Sequence, residues 1–310
     1  MTNTAHQSVL FDESVSALCI KPDGIYIDGT FGRGGHSKAI VDKLGSDGHL
    51  YAFDKDPDAI SFSEAFFDHE SRFSIVQDTF ANIKQHAQNW GIAHKVDGIL
   101  LDLGVSSPQL DDASRGFSFL REGPLDMRMN PGQGQSAAQW LAEEKEAEIA
   151  RVLKEYGEER YAKRIAKAIV LARQETPINS TTQFADIVAK AHPAWEKHKH
   201  PATKTFQAIR IYLNKELTDL QDFLNQSLDV LAPGGRLAII SFHSLEDRIV
   251  KQFIQKKAKG DDFPVDIPVT EDQLNKTLRK VGKLITPGKD EIANNPRARS
   301  ARLRIAEKLS

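Results

Sequence analysis

Four short apolar-rich runs, each ending on an acidic residue, dominate the first third of the chain. They cover residues 25–27, 49–53, 72–77 and 96–101, and the acids that follow them are Asp28, Asp54, Asp78 and Asp102. Segments with apolar residues at helical spacing begin near residue 38 and cover residues 60–67 and 80–90. Residues 96–101 are continuously apolar, as expected of a parallel strand covered on both faces. The repetition predicts a doubly wound, mostly parallel α/β sheet with right-handed crossovers.

The strand–helix alternation stops after this fourth run. Residues 105–205 contain no predicted strand; the pattern indicates a loop over residues 111–131 and helices over residues 137–156, 158–173 and 182–192. A long amphipathic helix then carries leucines every three or four residues from Leu213 to Leu231, and a strand follows at residues 236–242. Residues 282–286 and 301–307 predict an antiparallel closing hairpin. We therefore expect an α/β domain formed by residues 1–108 and 206–310, with a helical domain inserted at residues 109–205.

Two further local features can be predicted from the pattern. A lead-in helix over residues 8–20 would turn Val15, Leu18 and Cys19 inward, which makes Cys19 a small core residue. Ser244 precedes a helical segment and is followed three residues later by Asp247, which predicts a capping box with Asp in place of Glu.

A glycine-rich segment follows the first predicted strand and indicates a ligand site. Residues 29–35 contain four glycines directly after Asp28, in a strand–turn–helix context that forms cofactor crevices in open α/β sheets. Glycine is required where the backbone takes a positive φ or where a ligand approaches closely. A tight turn without a ligand is the simpler alternative, but four glycines exceed what one turn needs.

The details of this segment favour S-adenosylmethionine over a nicotinamide dinucleotide. The fingerprint G-x-G-x-x-G starts at Gly32 but meets Ser37 where its last glycine should stand. Asp28 would repel a pyrophosphate, whereas it can accept hydrogen bonds from a ligand ammonium group. Asp54 lies 22 residues after Gly32, close to the spacing of the acid that holds ribose hydroxyls, and fits either cofactor. Phe80, after the third strand near Asp78, is either an apolar wall for adenine or an ordinary core residue.

Composition limits the class of protein. The chain has 310 residues, 40% hydrophobic and 27% charged, which is typical of a soluble globular protein. It has no apolar run of 18 residues and no secretory signal at its start, so we expect no membrane partner and a cytoplasmic location. Its single cysteine, Cys19, excludes an internal disulfide, consistent with a reducing compartment. The net charge of −2 means that any RNA surface must be a local patch.

Three basic runs are candidates for such a patch. They contain Arg160, Lys163, Arg164, Lys167 and Arg173; Arg297, Arg299, Arg302 and Arg304; and residues 197–200 with Lys199. Each run alone fits a solvated face as well as a phosphate contact, but three runs in a nearly neutral chain favour RNA binding. The nearby histidines His192, His198 and His200 could suggest a metal site, but histidines beside lysines are seldom ligands, so we expect no metal.

The acid after the fourth strand is the main catalytic candidate. Methylation of cytosine C5 requires a cysteine nucleophile, and Cys19 stands before the first strand, which disfavours that reaction. Methylation of an exocyclic amine needs only a positioned acceptor for the N–H. We assign that role to Asp102, with Ser107, His243 and Asp126 lining the pocket. Asp102 may alternatively serve only the cofactor, in which case it would have no chemical role.

Several long motifs resemble those of one family. They are residues 26–37, 101–109 (Leu-Asp-Leu-Gly-Val-Ser-Ser-Pro-Gln), 116–119, 124–129 (Pro-Leu-Asp-Met-Arg-Met), 156–160, 200–203, 241–248 (Ser-Phe-His-Ser-Leu-Glu-Asp-Arg) and 295–299. Together they span nearly the whole chain and resemble the RsmH (MraW) family of 16S ribosomal RNA methyltransferases.

This resemblance implies a fold, an activity and a set of contacts. It implies a class I, Rossmann-like methyltransferase sheet whose inserted helical domain recognises the substrate. It further implies N4-methylation of a cytidine in the decoding centre of 16S ribosomal RNA, on the small ribosomal subunit and with S-adenosylmethionine. The cofactor contacts it implies are Gly34, Gly35, His36, Asp54, Phe80, Asp102 and Gln109, to which the residue pattern adds Asp28 and Gly32.

Alternatives to this function remain open from the sequence. They are a methyltransferase acting on another RNA or on an amine, a nicotinamide oxidoreductase, and a non-catalytic RNA-binding assembly factor. The assembly factor would share the basic runs but would not explain Asp28, Asp54 and the glycines together. Self-association as a homodimer is also open.

Overall fold

The structure, a computed structural model, describes residues 8–194, 200–261 and 270–309. The chain divides into two compact units. We call Met1–Gly104 with Leu217–Ser310 the α/β unit and Val105–Glu216 the helical unit. The helical unit thus extends beyond residue 205 and includes the helix Ala202–Leu213.

Seven strands form one sheet in the α/β unit. They are β1 (Ile25–Asp28), β2 (His49–Asp54), β3 (Phe73–Gln77), β4 (Val96–Asp102), β5 (Leu231–Ser241), β6 (Leu278–Ile285) and β7 (Arg302–Lys308). Their order in space is β3-β2-β1-β4-β5-β7-β6, and only β7 runs antiparallel to its neighbours. The predicted class, a mostly parallel sheet with an antiparallel closing hairpin, is confirmed. The strand order reverses between β1 and β4, which is where such a sheet opens a ligand crevice at its carboxyl edge.

Helices pack on both faces of this sheet. The helices of the α/β unit are α1 (Phe11–Ala17), α2 (Gly35–Val41), α3 (Pro57–Phe66), α4 (Ile83–Asn89), α11 (Glu216–Val230), α12 (Ser244–Lys259) and α13 (Lys289–Asn294). Successive residues of β4 point into opposite apolar clusters: Ile99 and Leu101 pack with Phe223 of α11, and Leu100 packs with Ile40 of α2. Because both faces are covered, β4 is apolar throughout.

The helical unit has its own core. It contains α5 (Ser107–Asp111), α6 (Ala137–Glu143), α7 (Glu146–Gly157), α8 (Ala162–Glu175), α9 (Thr181–Ala191) and α10 (Ala202–Leu213). Fully buried residues such as Val152 of α7, Ile165 of α8 and Ile209 of α10 join in one cluster. In the described part of this unit, strand-type pairing is limited to one isolated bridge, between Pro124 and Ser180.

Four local predictions were wrong. The predicted continuous helix from Leu213 to Leu231 is broken, because α10 ends at Leu213 and Lys215 takes a left-handed φ of 54° before α11. The helix predicted over residues 137–156 is divided into α6 and α7 by the extended residues Glu144 and Lys145. Cys19 is exposed and lies in a turn at φ 49°, not in the core.

The fourth wrong prediction concerns the start of α12. His243, not Ser244, is the N-cap, and Glu246 instead of Asp247 completes the capping box. Asp247 is unavailable for capping because it binds Arg302 and Arg304 of β7. Among the described residues, no helix is both long enough and apolar enough to cross a bilayer.

Candidate active site

The glycine-rich loop connects β1 to α2 and has the backbone geometry that its glycines predict. Gly32 and Gly34 take positive φ angles of 56° and 70°, and Gly34 is the N-cap of α2. A Cβ atom on Gly34 would lie 2.9 Å from the ring of Phe31, so any other residue would be both strained and crowded there. Gly35 then begins α2, and His36 lies in its first turn.

Asp28, at the end of β1, organises this loop from inside. Its side chain is 1% exposed; it accepts hydrogen bonds from the Thr30 backbone N–H (3.0 Å) and from the Ser37 hydroxyl (2.6 Å). Burial raises the pKa of Asp28, and the bonds from Ser37 and Thr30 oppose that rise. The carboxylate therefore holds the loop in place and puts an acidic group beneath it.

Asp54, at the end of β2, holds the loop from the neighbouring strand. Its Oδ2 accepts the Gly32 N–H at 2.8 Å, and its Oδ1 accepts the Asp56 N–H at 2.9 Å. Burial raises the pKa of Asp54 to about 6. Asp28 and Asp54 thus fix the two ends of the segment 29–35, which the sequence alone presented only as a spacing.

Asp102, at the end of β4, is the most perturbed of these carboxyl groups. Burial, followed by the charges of Asp28 and Glu246, raises the pKa of Asp102 to about 8. Its side chain is 25% exposed, yet its Oδ1 is buried and makes no hydrogen bond. Its backbone N–H donates to the Thr30 hydroxyl at 2.7 Å, which fixes the tip of β4 against the loop after β1.

His36 lies beside Asp102 without forming an ion pair at neutral pH. Its Nδ1 is 3.8 Å from Asp102 Oδ2, and burial lowers the pKa of His36 to about 4. The imidazole is therefore neutral, and Asp102 is largely protonated. The Nε2 of His36 is buried without a hydrogen-bond partner, while its ring stacks on Phe11 at 5.6 Å.

His243 and Glu246 lie just beyond β5, the strand next to β4. His243 Nε2 is 3.1 Å from Glu246 Oε1, and the Phe242 N–H donates to Glu246 Oε2 at 2.9 Å. Glu246 is 2% exposed, so its charge acts on Asp102 with little screening by water. His243 is therefore held by Glu246 at the carboxyl edge of the sheet.

Asp78 and Phe80 follow β3. Asp78 accepts hydrogen bonds from Asn82, from the Thr79 N–H and from His86 at 2.8 Å. Burial tends to raise the pKa of Asp78, but the bonds from His86 and Asn82 outweigh it and leave the pKa lowered. Phe80 is half-buried against Phe223 at 5.7 Å, so it packs on the core and also keeps an accessible side.

The remaining predicted pocket residues belong to the helical unit. Ser107 is the first residue of α5; Gln109 is 6% exposed and accepts the Ser106 N–H at 2.9 Å in a capping box. Asp126 forms a two-pronged ion pair with Arg128, which lowers its pKa against the opposing effect of burial. Gln109 and Asp126 are therefore already engaged within their own unit.

The structure divides the predicted basic residues into two groups. Arg160, Lys163, Arg164 and Lys167 are exposed at and along α8, and Arg297 and Arg299 are exposed after α13. The other arginines of these runs have structural roles. Arg302 and Arg304 bind Asp247, and Arg173 donates to the Glu144 carbonyl at 2.7 Å. Lys199 and His198 lie outside the described residues.

Sequence reasoning missed three residues of this site. Thr30 links the tips of β1 and β4, Ser37 binds Asp28, and Glu246 holds His243 and raises the pKa of Asp102. Thr30 and Ser37 stand within a motif that was recognised, but their role depends on which strand lies next to β1. Only the strand order shows that.

This arrangement fits a cationic nucleoside. Three acids end β1, β2 and β4 at the point where the sheet opens, and the buried atoms His36 Nε2 and Asp102 Oδ1 lack hydrogen-bond partners. A positively charged ligand would stabilise the charged form of these carboxylates, whereas a pyrophosphate would be repelled. The fold and the site together define a class I methyltransferase, and its cofactor is S-adenosyl-L-methionine.

The chain belongs to the MraW methylase family, whose model matches residues 3–309. Among solved structures it is similar to an rRNA methylase from Streptococcus thermophilus, with 12% identity, a TM-score of 0.46, and coverage of 99% of this chain and 100% of that one. A putative rRNA methylase from Clostridium thermocellum gives 10%, 0.47, 98% and 100%. A putative methyltransferase from Streptococcus mutans in complex with SAH gives 14%, 0.43, 98% and 100%. The family match, and not these three likenesses, identifies the chain.

Proposed function

We propose that this methyltransferase transfers a methyl group to the exocyclic N4 of a cytidine in the decoding centre of 16S ribosomal RNA, within the small ribosomal subunit. The family supports a methyl transfer, and the motifs that resemble RsmH enzymes support the nucleotide. The observation that carries the chemistry is Asp102, a carboxyl group at the switch point of the sheet with a buried, unpaired oxygen and a pKa of about 8.

Asp102 has the properties that amine methylation requires. S-adenosylmethionine, when bound, supplies an electrophilic methyl group on a sulfonium. As the new N–C bond forms, the amine nitrogen becomes positively charged and must lose a proton. The carboxylate form of Asp102 accepts the N–H, orients the nitrogen lone pair and takes that proton. A pKa near the working pH suits a group that both gains and loses a proton in each cycle.

The other residues of the site have supporting roles in this proposal. Asp54 would hold the ribose hydroxyls, Phe80 and the Asp78 segment the adenine, and Gly32, Gly34, Gly35 and His36 the amino-acid end of the cofactor. Asp28 supplies negative charge below that end. Gln109, Ser107 and His243 would line the entry of the target base, which must leave its stack to reach Asp102. The exposed residues Arg160, Lys163, Arg164 and Lys167, together with Arg297 and Arg299, would contact RNA phosphates.

The proposal is tested by finding the nucleotide that depends on this chain. Small ribosomal subunits from a strain lacking the gene should lose one N4-methyl group on a decoding-centre cytidine, seen by nuclease digestion and mass spectrometry. The purified protein with S-adenosylmethionine should restore the same mass shift on those subunits. A methyl group lost from a different RNA or from a protein amine would overturn the assignment of substrate. If the deletion removes no methyl group, and the protein transfers none to RNA, the chain is a non-catalytic binding factor.

A further inference from the structure

An exposed basic surface covers the outer side of α12 and the adjoining edge strand β6. Its members are Arg248, Lys251, Lys256 and Lys259 on α12, and Lys280 and Lys283 on β6, all of them exposed. We call it the α12–β6 basic surface. It is separate from α8 and from Arg297 and Arg299, and the sequence analysis did not identify it.

The surface contains no carboxylate of its own elements. From Arg248 to Lys259 the sequence has five basic residues and no acid, and β6 has three basic residues and no acid. The two acids at the start of α12 are withdrawn from solvent: Glu246 is 2% exposed and binds backbone N–H groups, while Asp247 is 5% exposed and binds Arg302 and Arg304. In a chain of net charge −2, this concentration of positive charge must be balanced elsewhere.

The two elements form one continuous face. α12 packs on β6, and the Thr277 N–H just before β6 donates to the Lys257 carbonyl at 3.1 Å. Val250 and Ile254 of α12 are buried against Leu278 of β6, so the polar side of the helix is turned outward. That side also bears Gln252 and Gln255, which can donate hydrogen bonds to phosphate oxygens.

The surface begins at the active site. α12 starts at Ser244, directly after the site residue His243 at the carboxyl edge of the sheet, and runs toward the opposite edge. From Arg248 to Lys259 the helix rises about 16 Å, which is enough to follow several nucleotides of a polyanion. Lysines on an edge strand also prevent edge-to-edge pairing; for that reason α12, and not β6, carries the test below.

We propose that the α12–β6 basic surface binds the phosphate backbone of the substrate RNA next to the target nucleotide, so that the α/β unit grips RNA independently of the helical unit. This inference rests on the proposed function, because it assumes an RNA substrate. The contact is electrostatic and not base-specific, so it weakens as salt rises.

The test removes two charges and compares their loss with that of two other lysines. Lys251→Gln with Lys256→Gln is the test variant, and Lys43→Gln with Lys95→Gln, two exposed lysines elsewhere on the α/β unit, is the control. The probe is the small ribosomal subunit from the deletion strain, with the dissociation constant measured between 50 and 300 mM KCl (roughly the range in which counterion release dominates). S-adenosylmethionine binding and methyl transfer are measured in parallel.

We expect the test variant to bind subunits about tenfold more weakly at the lower salt concentrations, and its plot of log Kd against log salt to flatten by about two contacts. Its affinity for S-adenosylmethionine should equal that of the wild type, and the control variant should match the wild type throughout. An unchanged slope and affinity in the test variant, with wild-type methyl transfer to RNA intact, would overturn this inference alone. A wild-type protein that neither binds nor methylates the subunits would overturn both it and the proposed function.

Discussion

At the scale of single residues, the account depends on what Asp102 does with the proton of the amine. Two roles are compatible with its position at the end of β4: acceptor of the N–H, or a cofactor contact only. The buried, unpaired Oδ1 and the pKa of about 8 favour the first role, because an oxygen used only by a loop would be hydrogen-bonded within the protein.

Replacing Asp102 should separate the two roles. In Asp102→Asn we expect methyl transfer to fall by about 10²- to 10⁴-fold, the usual contribution of a positioned base, while the affinity for S-adenosylmethionine changes only a few-fold. Asp102→Ala should lose at least as much. Single-turnover transfer and calorimetric binding measure the two quantities separately. A variant that fails to bind the cofactor, but transfers at the wild-type rate when the cofactor is saturating, would show that Asp102 has no chemical role.

The loop glycines make a second prediction at this scale. Gly34→Ala should destabilise the protein by roughly 1–2 kcal/mol or more, because alanine is disfavoured at φ 70° and its Cβ would also crowd Phe31. Gly288→Ala is the matched control, since Gly288 has a φ of −70° and open space around its Cβ position. Urea unfolding measures both variants. Equal stability of the two would contradict the geometry of the loop.

At the scale of elements, α8 is the part of the helical unit with the clearest surface chemistry. Its exposed side carries Lys163, Arg164 and Lys167, while Ile165 and Ile169 are buried in the core of that unit. Because the apolar and basic residues are on different sides, the basic side can be altered without disturbing packing.

Charge reversal of this side should weaken RNA binding. We expect Lys163→Glu with Lys167→Glu to bind small subunits at least tenfold more weakly near 100 mM salt, with a smaller salt dependence. Lys145→Glu with Lys190→Glu changes the same number of charges at other exposed sites of the helical unit and should bind more tightly than the test variant. If both double variants bind subunits equally well across the salt range, α8 is not an RNA contact.

The elements also show how far the sequence could lead. Strands β1 to β5 and the closing hairpin were predicted close to their observed bounds, since each is a short apolar-rich run ended by acids or glycines. The break between α10 and α11 was missed because the leucine stripe continues across it. The left-handed Lys215 and the hydrogen bond from Asn214 to the Met127 carbonyl depend on the three-dimensional fold.

The site followed the same division. Asp28, Asp54 and Asp102 could be predicted as strand-end acids, and the glycines as positions of positive φ. Their mutual arrangement could not be, because Thr30 reaches Asp102 and Gly32 reaches Asp54 across the sheet order. The perturbed pKa of Asp102 arises from burial and from Glu246, which is 144 residues away in the sequence.

At the scale of the whole molecule, buried acids make stability depend on pH. The folded chain keeps a proton on Asp102 up to a pKa of about 8 and on Asp54 up to about 6, whereas both ionise near 3.8 when unfolded. Between these limits the folded state binds more protons than the unfolded state. The free energy of unfolding must therefore fall as pH rises from about 4 to about 8.

Unfolding by urea at several pH values measures this dependence. Asp102 contributes a loss of at most about 1.4 kcal/mol per pH unit, reduced by its partial exposure. Asp102→Asn should remove that contribution between pH 6 and pH 8, so that the variant loses less stability than the wild type over this range. S-adenosylmethionine should reduce the loss in the wild type as well, because a cation favours the ionised acids. Parallel curves for wild type and variant would contradict the raised pKa.

The central claim is that the acids ending β1, β2 and β4, with the glycine loop between β1 and α2, bind a sulfonium nucleoside and not a nicotinamide dinucleotide. Calorimetric titration of the purified chain with S-adenosylmethionine and, separately, with NAD tests it most directly. The account predicts one equivalent of S-adenosylmethionine bound, weakened by Asp54→Ala, and no heat of binding with NAD. Binding of NAD, or S-adenosylmethionine binding that Asp54→Ala leaves unchanged, would contradict it.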